Sequence, residues 1–234
     1  MEIAVSLTLH YHPLSSCSWK TLIALYENGV PFTAHTVNLG DPVERAAFGA
    51  LWPTAKIPLL QDGDRVVPET SLQIEYLDLH HPGAQPLLPG DAEAQLDVRQ
   101  WDRVFDLYVM DPMQRYIAQQ RRPEGERDAG TQAASRATLA MAYALVDSRL
   151  GGRTWAAGET FSMADCAAAP SLFYATTIQP LEPEQGRLAA YLERLMARPS
   201  VQRAIREARP FFHWYPLHDR LPARFLTDDE SHAG

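Results

Sequence analysis

A chain of 234 residues with a hydrophobic fraction of 46% and 5 tryptophans has enough apolar surface for one large packed domain or two small ones, which excludes a disordered segment. Its formal net charge of -8 argues against a nucleic-acid partner, because phosphates attract a basic face. The 2 cysteines, Cys17 and Cys166, lie too far apart in sequence to suggest a disulfide scaffold, and the longest apolar stretch, Met163 to Ala175, carries Asp165 and Pro170 and is too short to cross a bilayer. No basic, apolar leader opens the chain, so a reducing cytoplasm is the expected setting, with no membrane partner and no metal centre.

In chain order, the alternating run Val5 to Leu9 predicts a half-buried strand, and Thr21 to Gly29 predicts an amphipathic helix stopped by Asn28-Gly29. Between them stands Tyr11-His12-Pro13-Leu14-Ser15-Ser16-Cys17-Ser18-Trp19-Lys20, a loop of hydroxyls and one thiol at a helix N-terminus. Free N–H groups and the helix dipole favour an anion there, including a thiolate from Cys17 or from a ligand. A serine in that position is also a good helix cap, and the two roles are not exclusive. Tyr11 reads as strand-end packing.

Pro31 to Asn38 predicts a second strand of alternating character, and Asp41-Pro42 a capped helix start. Ile57 to Gln61 and Arg65 to Val67 predict a hairpin turning at Asp62-Gly63. Glu69-Thr70-Ser71 opens a further helix, with Leu72, Tyr76 and Leu77 expected on its inner side. This is an α/β unit over residues 1–82, followed by a Pro- and Gly-rich linker at 83–90. The remainder to 222 predicts an all-helical unit, with a polar tail at 223–234. Within it, Asp91 to Arg122 is one long periodic segment, apolar at Leu96, Trp101, Val104, Phe105, Tyr108 and Val109 and interrupted by Pro112. Glu124 to Leu150 predicts the next helix, closed by Gly151-Gly152. Ser162 and Asp165 form a variant capping box before an Ala-rich helix whose apolar residues surround it, the mark of a buried centre. Leu188 to Arg198 and Ser200 to Arg209 complete the bundle.

Taken together, these features resemble the cytosolic glutathione transferase superfamily, a thioredoxin-like α/β domain with a mixed four-stranded sheet joined to an all-α bundle. Ser15-Ser16-Cys17-Ser18-Trp19 is similar to the zeta-class motif, and Lys56-Ile57-Pro58 is similar to the segment whose proline is cis across the superfamily. Glu69-Thr70 resembles the Glu-Ser pair that holds the γ-glutamyl group, with Thr in place of Ser, and the Ser162–Asp165 box matches the fourth motif. The resemblance implies glutathione as co-substrate, held by Lys56, Ile57, Pro58, Glu69 and Thr70. It implies thiol activation by Ser15, with Ser16 and Cys17 as alternatives. Lowering a thiol pKa by about two units would supply roughly 2.7 kcal/mol of preference for the thiolate. Tyr108, Met110, Met113 and Tyr116 are the candidate face for an apolar electrophile, with core packing as the competing role. A homodimer is implied as well, through the Asp91–Arg122 segment with Asp97, Arg99 and Arg103.

The reaction expected from the resemblance is conjugation of the glutathione thiolate to a small, mostly apolar electrophile, a detoxification chemistry. Alternatives are a maleylacetoacetate-type isomerisation, thiol transfer or peroxide reduction, and a glutathione-binding module without turnover. Glu69 stands where the zeta class usually carries Gln, and Trp52-Pro53 stands where many relatives carry Asn-Pro, so the isomerase reaction is not assigned.

Overall fold

The computed structural model describes residues 7–227. Four strands, β1 (Leu7–Tyr11), β2 (Thr33–Thr36), β3 (Leu59–Asp62) and β4 (Arg65–Val67), form one mixed sheet in the order β2-β1-β3-β4. β1 and β2 are parallel, which requires a crossover, and helix α1 (Ser16–Glu27) supplies it. β3 runs antiparallel to both β1 and β4, and the β3–β4 turn is closed by Gly63 at a φ of +57°. Val5 and Ser6, the predicted start of the first strand, lie outside the described residues.

Alternation along the strands sorts side chains between two cores. Leu7, Leu9, Tyr11 and Leu60 enter the main core with α1 and with α3 (Thr70–His80). Leu59 turns to the other face, toward Phe48 of α2 (Pro42–Leu51), and His10 meets the Phe48 ring at 5.9 Å. β2 departs from the expected alternation, since its four residues are all exposed. It is one of the two edge strands, and Phe48 is the one buried residue of α2. On α3 the inner residues are Gln73, Ile74 and Leu77, while Leu72 faces outward at 53% exposure, a correction to the predicted face.

The linker is anchored. Asp78 accepts the backbone N–H groups of Leu87 and Leu88, each at 2.8 Å, and both leucines are buried. The predicted long helix is divided into α4 (Ala92–Val104), a π-helical turn (Phe105–Met110) and α5 (Asp111–Gln120). Pro112 explains the break, because it lacks the N–H that an α-helix would bond to residue 108 and its ring crowds that carbonyl. The Asp111 N–H bonds instead to the Asp106 carbonyl, five residues back. Leu96 and Tyr108 turn outward, at 60% and 42% exposure, so the buried face is carried by Val98, Trp101, Phe105 and Val109.

Helix α6 (Ala129–Arg149) begins later than expected, because Asp128 caps it by accepting the Gly130 N–H at 2.9 Å. α8 (Gly186–Met196) and α9 (Pro199–Ala208) follow the predicted segments closely. In the tail, Ala223–Phe225 form a 3-10 turn, and Phe225 meets Phe173 at 5.2 Å. Residues 228–234 lie outside the described residues.

Helix α7 (Met163–Ala175) is the buried centre, with all of its residues buried, and it packs on both α1 and α4. Its start is fixed by Asp165, which is fully buried. The carboxylate accepts the N–H of Ser162 at 2.9 Å, the Ser162 hydroxyl at 3.0 Å, the Ala156 N–H at 3.0 Å and the Tyr191 hydroxyl at 2.5 Å. Burial pushes the Asp165 carboxyl up, and these four donors oppose that rise. A capping contact alone is worth about 1 kcal/mol, whereas each buried donor left without an acceptor costs about 1–3 kcal/mol. Asp165→Ala is therefore expected to lower unfolding stability by at least about 3 kcal/mol, with Asp165→Asn intermediate. Urea midpoints read this directly, and an unchanged midpoint in the alanine variant would show that the network is idle.

Candidate functional site

The strand register brings three distant segments to one end of the sheet. His10 pairs with Leu59, so Ile57-Pro58 run beside the end of β1 and the loop that follows it. Leu60 pairs with Val67, so Pro68-Glu69-Thr70 emerge at that same end. The Ile57–Pro58 peptide is cis, Ile57 is partly exposed and Lys56 is exposed. Glu69 adopts a φ of +64°, uncommon for any residue with a side chain, at the cap position of α3. Its exposed carboxylate makes no capping bond to its own helix, and a strained residue of this kind is a marker of a binding site. Thr70, half-buried, begins α3 beside it.

The hydroxyl loop forms a turn in which the Ser15 N–H bonds to the His12 carbonyl at 2.9 Å. Ser15 caps α1, its oxygen accepting the Ser18 N–H at 3.3 Å. Capping uses a lone pair and leaves the hydroxyl proton free to donate. Ser16 is buried, and its oxygen lies 3.4 Å from the Gln114 amide nitrogen of α5. The same amide approaches the Cys17 sulfur at 3.0 Å. Burial pushes the Cys17 thiol up despite its place at the helix start, so the helix end does not yield the low-pKa thiolate that position can favour. Tyr11 is buried, and burial likewise raises its phenol, as suits a packing residue. Gln114 was missed in the sequence because a polar residue on an outer helix face carries no signal of its own.

Two buried polar devices hold this end of the sheet together. Gln73 donates to the carbonyls of Pro58 and Val67, both at 3.0 Å, and accepts the Thr21 hydroxyl at 2.6 Å. One amide thus joins α1, the approach to β3, the end of β4 and α3. The second device is Lys20, 1% exposed, whose ammonium meets Asp102 at 2.5 Å, Asp106 at 2.9 Å and the Ser71 hydroxyl at 2.9 Å. Ser71 donates in turn to Asp102 at 2.6 Å, and Arg103 pairs with Asp106 at 2.9 Å. Burial and the neighbouring Asp106 raise the Asp102 carboxyl, while Lys20 pulls it down. Removing one member of a buried pair strands the other, at a cost of about 3–5 kcal/mol. Lys20→Met should lose about that much stability in chemical denaturation, and adding Asp102→Leu should restore part of it. A double variant no more stable than Lys20→Met would contradict this account.

The candidate apolar face is placed differently from expectation. Met110, Met113 and Tyr116 are 5%, 3% and 6% exposed and belong to the main core, because the π turn and Pro112 direct them inward. Tyr108 alone of the four is open. The open aromatic surface beside the loop comes instead from the 3-10 segment Arg209–Trp214, where Phe211 and Trp214 approach His12 at 5.0 and 5.8 Å. Among the described residues, no three His, Cys, Asp or Glu side chains gather as metal ligands would, and no helix is long and apolar enough to cross a membrane.

Comparisons with known proteins agree with this architecture. Residues 14–80 match the family model for the glutathione S-transferase N-terminal domain, and residues 104–199 match that for the C-terminal domain. A glutathione S-transferase-like protein of Fusarium sp is 30% identical over 162 residues, spanning 67% of this chain and 72% of the relative. A probable maleylacetoacetate isomerase of Caenorhabditis elegans is 38% identical over 77 residues, 33% of this chain and 36% of that protein. The crystal structure of a glutathione S-transferase from Methylobacillus flagellatus with glutathione bound superposes with a TM-score of 0.77 at 26% identity, covering 85% of this chain and 98% of that one. The chain belongs to the glutathione S-transferase superfamily.

Proposed function

We propose that this protein is a cytoplasmic glutathione transferase in which Ser15 activates the bound thiol for attack on a small electrophile. Glutathione is the co-substrate. The observation that carries the assignment of Ser15 is its double bonding capacity: the oxygen is held by the Ser18 N–H while the proton remains available to a thiolate. Ser16 is buried beneath Gln114, which donates to its oxygen, whereas Ser15 is only half-buried, and burial raises the Cys17 thiol. Glutathione would lie across the sheet end, its cysteinyl backbone along Ile57-Pro58 beside Lys56. Its γ-glutamyl carboxylate would meet Thr70 at the α3 N-terminus, with the ammonium toward Glu69. The match to the isomerase over 77 residues, together with the Ser15-Ser16-Cys17-Ser18-Trp19 run, supports a second reaction, reversible thiol addition that isomerises a double bond.

A conjugation assay with a chloronitrobenzene acceptor, run beside a maleylacetone assay, tests the reading. Ser15→Ala should raise the pKa of bound glutathione by about one to two units, cutting turnover at slightly acid pH about ten- to a hundredfold. Glutathione affinity should change little, and Cys17→Ala should keep most of the activity. The reverse pattern, with activity lost in Cys17→Ala alone, would replace conjugation by thiol transfer through a mixed disulfide.

We further propose a homodimer. α3, β4, the linker and α4 frame a groove of about 690 Å³ that includes Leu72, Leu79 and Leu88, and Leu79 is 75% exposed. Asp97, Arg99 and Arg103 of α4 are already paired within the chain: Arg99 with Glu75 at 2.9 Å, Asp97 with Arg149 and Arg103 with Asp106. Apolar contact, more than ion pairing, would therefore hold the twofold mate. Light scattering should give twice the 26.2 kDa chain mass, and Leu79→Glu should shift the mass toward the monomer. A monomer mass for the unaltered protein at micromolar concentration would refute the dimer.

A further inference from the structure

The β3–β4 hairpin loses its ladder at the point where the two candidate peptide-binding segments begin. Leu60–Val67 is the last pair at that end, and continuing the register would set Leu59 opposite Pro68 and Pro58 opposite Glu69. Neither proline has an N–H to give, so backbone bonding cannot hold the two segments together beyond that pair. A side chain supplies the missing donors. Gln73, fully buried one turn after Glu69 on α3, donates from its amide nitrogen to the Pro58 and Val67 carbonyls, at 3.0 Å each. Both hydrogens of that nitrogen are thereby used.

The amide is also held in one orientation. Its oxygen accepts the hydroxyl of Thr21, which is fully buried on α1, at 2.6 Å. Turned over, the amide would set its oxygen against two carbonyls, which offer no donor. The main-chain N–H of Gln73 bonds to the Glu69 carbonyl at 2.9 Å, so the side chain springs from the same helical turn that Glu69 and Thr70 begin. The neighbouring buried residues of α3, Ile74 and Leu77, are apolar, and a buried amide is tolerated among them only because every one of its groups is bonded. One nitrogen thus brackets the Ile57-Pro58 segment and the strand end that leads to Glu69-Thr70.

We propose that Gln73 is a positioning residue for the thiol peptide: it sets the gap between Ile57-Pro58 and Glu69-Thr70, and through that gap selects a γ-glutamyl over an α-glutamyl linkage. This rests on the transferase reading and specifies how its co-substrate is recognised. Glutathione carries its ammonium and carboxylate on one carbon at the far end of the glutamyl chain. Both can reach Glu69 and Thr70 while the cysteinyl backbone lies along Ile57-Pro58. The α-linked isomer has the same atoms and charge, but its ammonium sits beside the peptide bond and its carboxylate at the far end. A fixed gap admits one of these arrangements, whereas a gap free to vary admits both and makes glutathione order the site as it binds.

Calorimetry with glutathione and with α-glutamyl-cysteinyl-glycine tests the proposal. The unaltered protein should prefer glutathione at least about thirtyfold. Gln73→Leu should weaken glutathione binding about tenfold and narrow the preference about tenfold. Its KM for glutathione should rise in step, while kcat toward a chloronitrobenzene acceptor changes less than about twofold. Thr21→Val, which frees the amide to turn, should show part of this loss, and Thr21→Ser, which keeps the hydroxyl, should restore it. Asp165→Asn, destabilised in the helical unit, should keep the full preference, because lost stability alone does not alter the gap. Equal affinity of the unaltered protein for the two peptides overturns the proposal whether or not the variants fold. So does an unchanged preference in Gln73→Leu or, where that variant does not fold, in Thr21→Val. A preference narrowed equally in Asp165→Asn would reduce Gln73 to a structural residue. Absence of glutathione binding removes the transferase reading itself, whereas binding without preference for the γ-linkage removes only the role of Gln73.

Discussion

The site depends on one buried cation. An ammonium group taken out of water loses several kcal/mol of hydration and is tolerated only where carboxylates and hydroxyls replace the solvent. Lys20 finds Asp102, Asp106 and Ser71, one partner set on α4 and the turn after it and another on α3. The loop bearing Ser15 leads directly into the helix that carries Lys20, and Thr70 directly precedes Ser71. The ion cluster therefore sets the distance between the Ser15 loop and the start of α3. It also joins the α/β unit to the helical unit, so the placing of the Ser15 loop against α3 and the docking of the two units share one set of contacts.

The joint between the units is broad as well as charged. Trp19 of α1 packs between Phe173 and Tyr174 of α7 at 5.0 and 5.3 Å and donates to the Pro13 carbonyl at 2.6 Å. The Tyr174 hydroxyl reaches the Leu14 carbonyl at 3.1 Å. At the far end of α1, Glu27 pairs with Arg198 and accepts the Ser200 hydroxyl, while Tyr26 donates to Glu207 at 2.6 Å. The loop bearing Ser15 is thus supported from below by the buried helix of the other unit. A loop fastened at its backbone carbonyls keeps its hydroxyl in place without spending ligand-binding energy to order it.

What could be read from the sequence was local chemistry. Ser15, Asp41, Asp91 and Ser162 mark helix starts because a short polar side chain reaches its own backbone within a few residues. The order of elements, the two-part division and the family motifs followed from such signals. Features requiring two remote partners were not readable. Lys20 in isolation reads as a solvated charge, and only Asp102 and Asp106, more than eighty residues away, make its burial possible. The faces of α3 and α4 were misread at Leu72 and Leu96 because an apolar residue does not declare which neighbour will cover it. Met110, Met113 and Tyr116 look like a substrate face by composition and turn inward through a backbone irregularity that no side-chain pattern announces.

That irregularity has a consequence for how this enzyme could diversify. A π turn holds one residue more than an α turn, and each residue of an α-helix advances the side-chain direction by about 100°. The extra residue in Phe105–Met110 therefore resets the angular phase of α5 relative to α4. Gln114 faces Cys17 and Ser16 in that phase, while Met113 and Tyr116 face the core. Loss of one residue after Asp106 within the turn, even a chemically trivial one, would swing a different column of α5 side chains over the Ser15 loop while leaving α4 and its ion cluster in register. The wall facing that loop can thus be re-lettered by a single-codon deletion, a route to new selectivity that leaves Ile57-Pro58 and Glu69-Thr70 untouched.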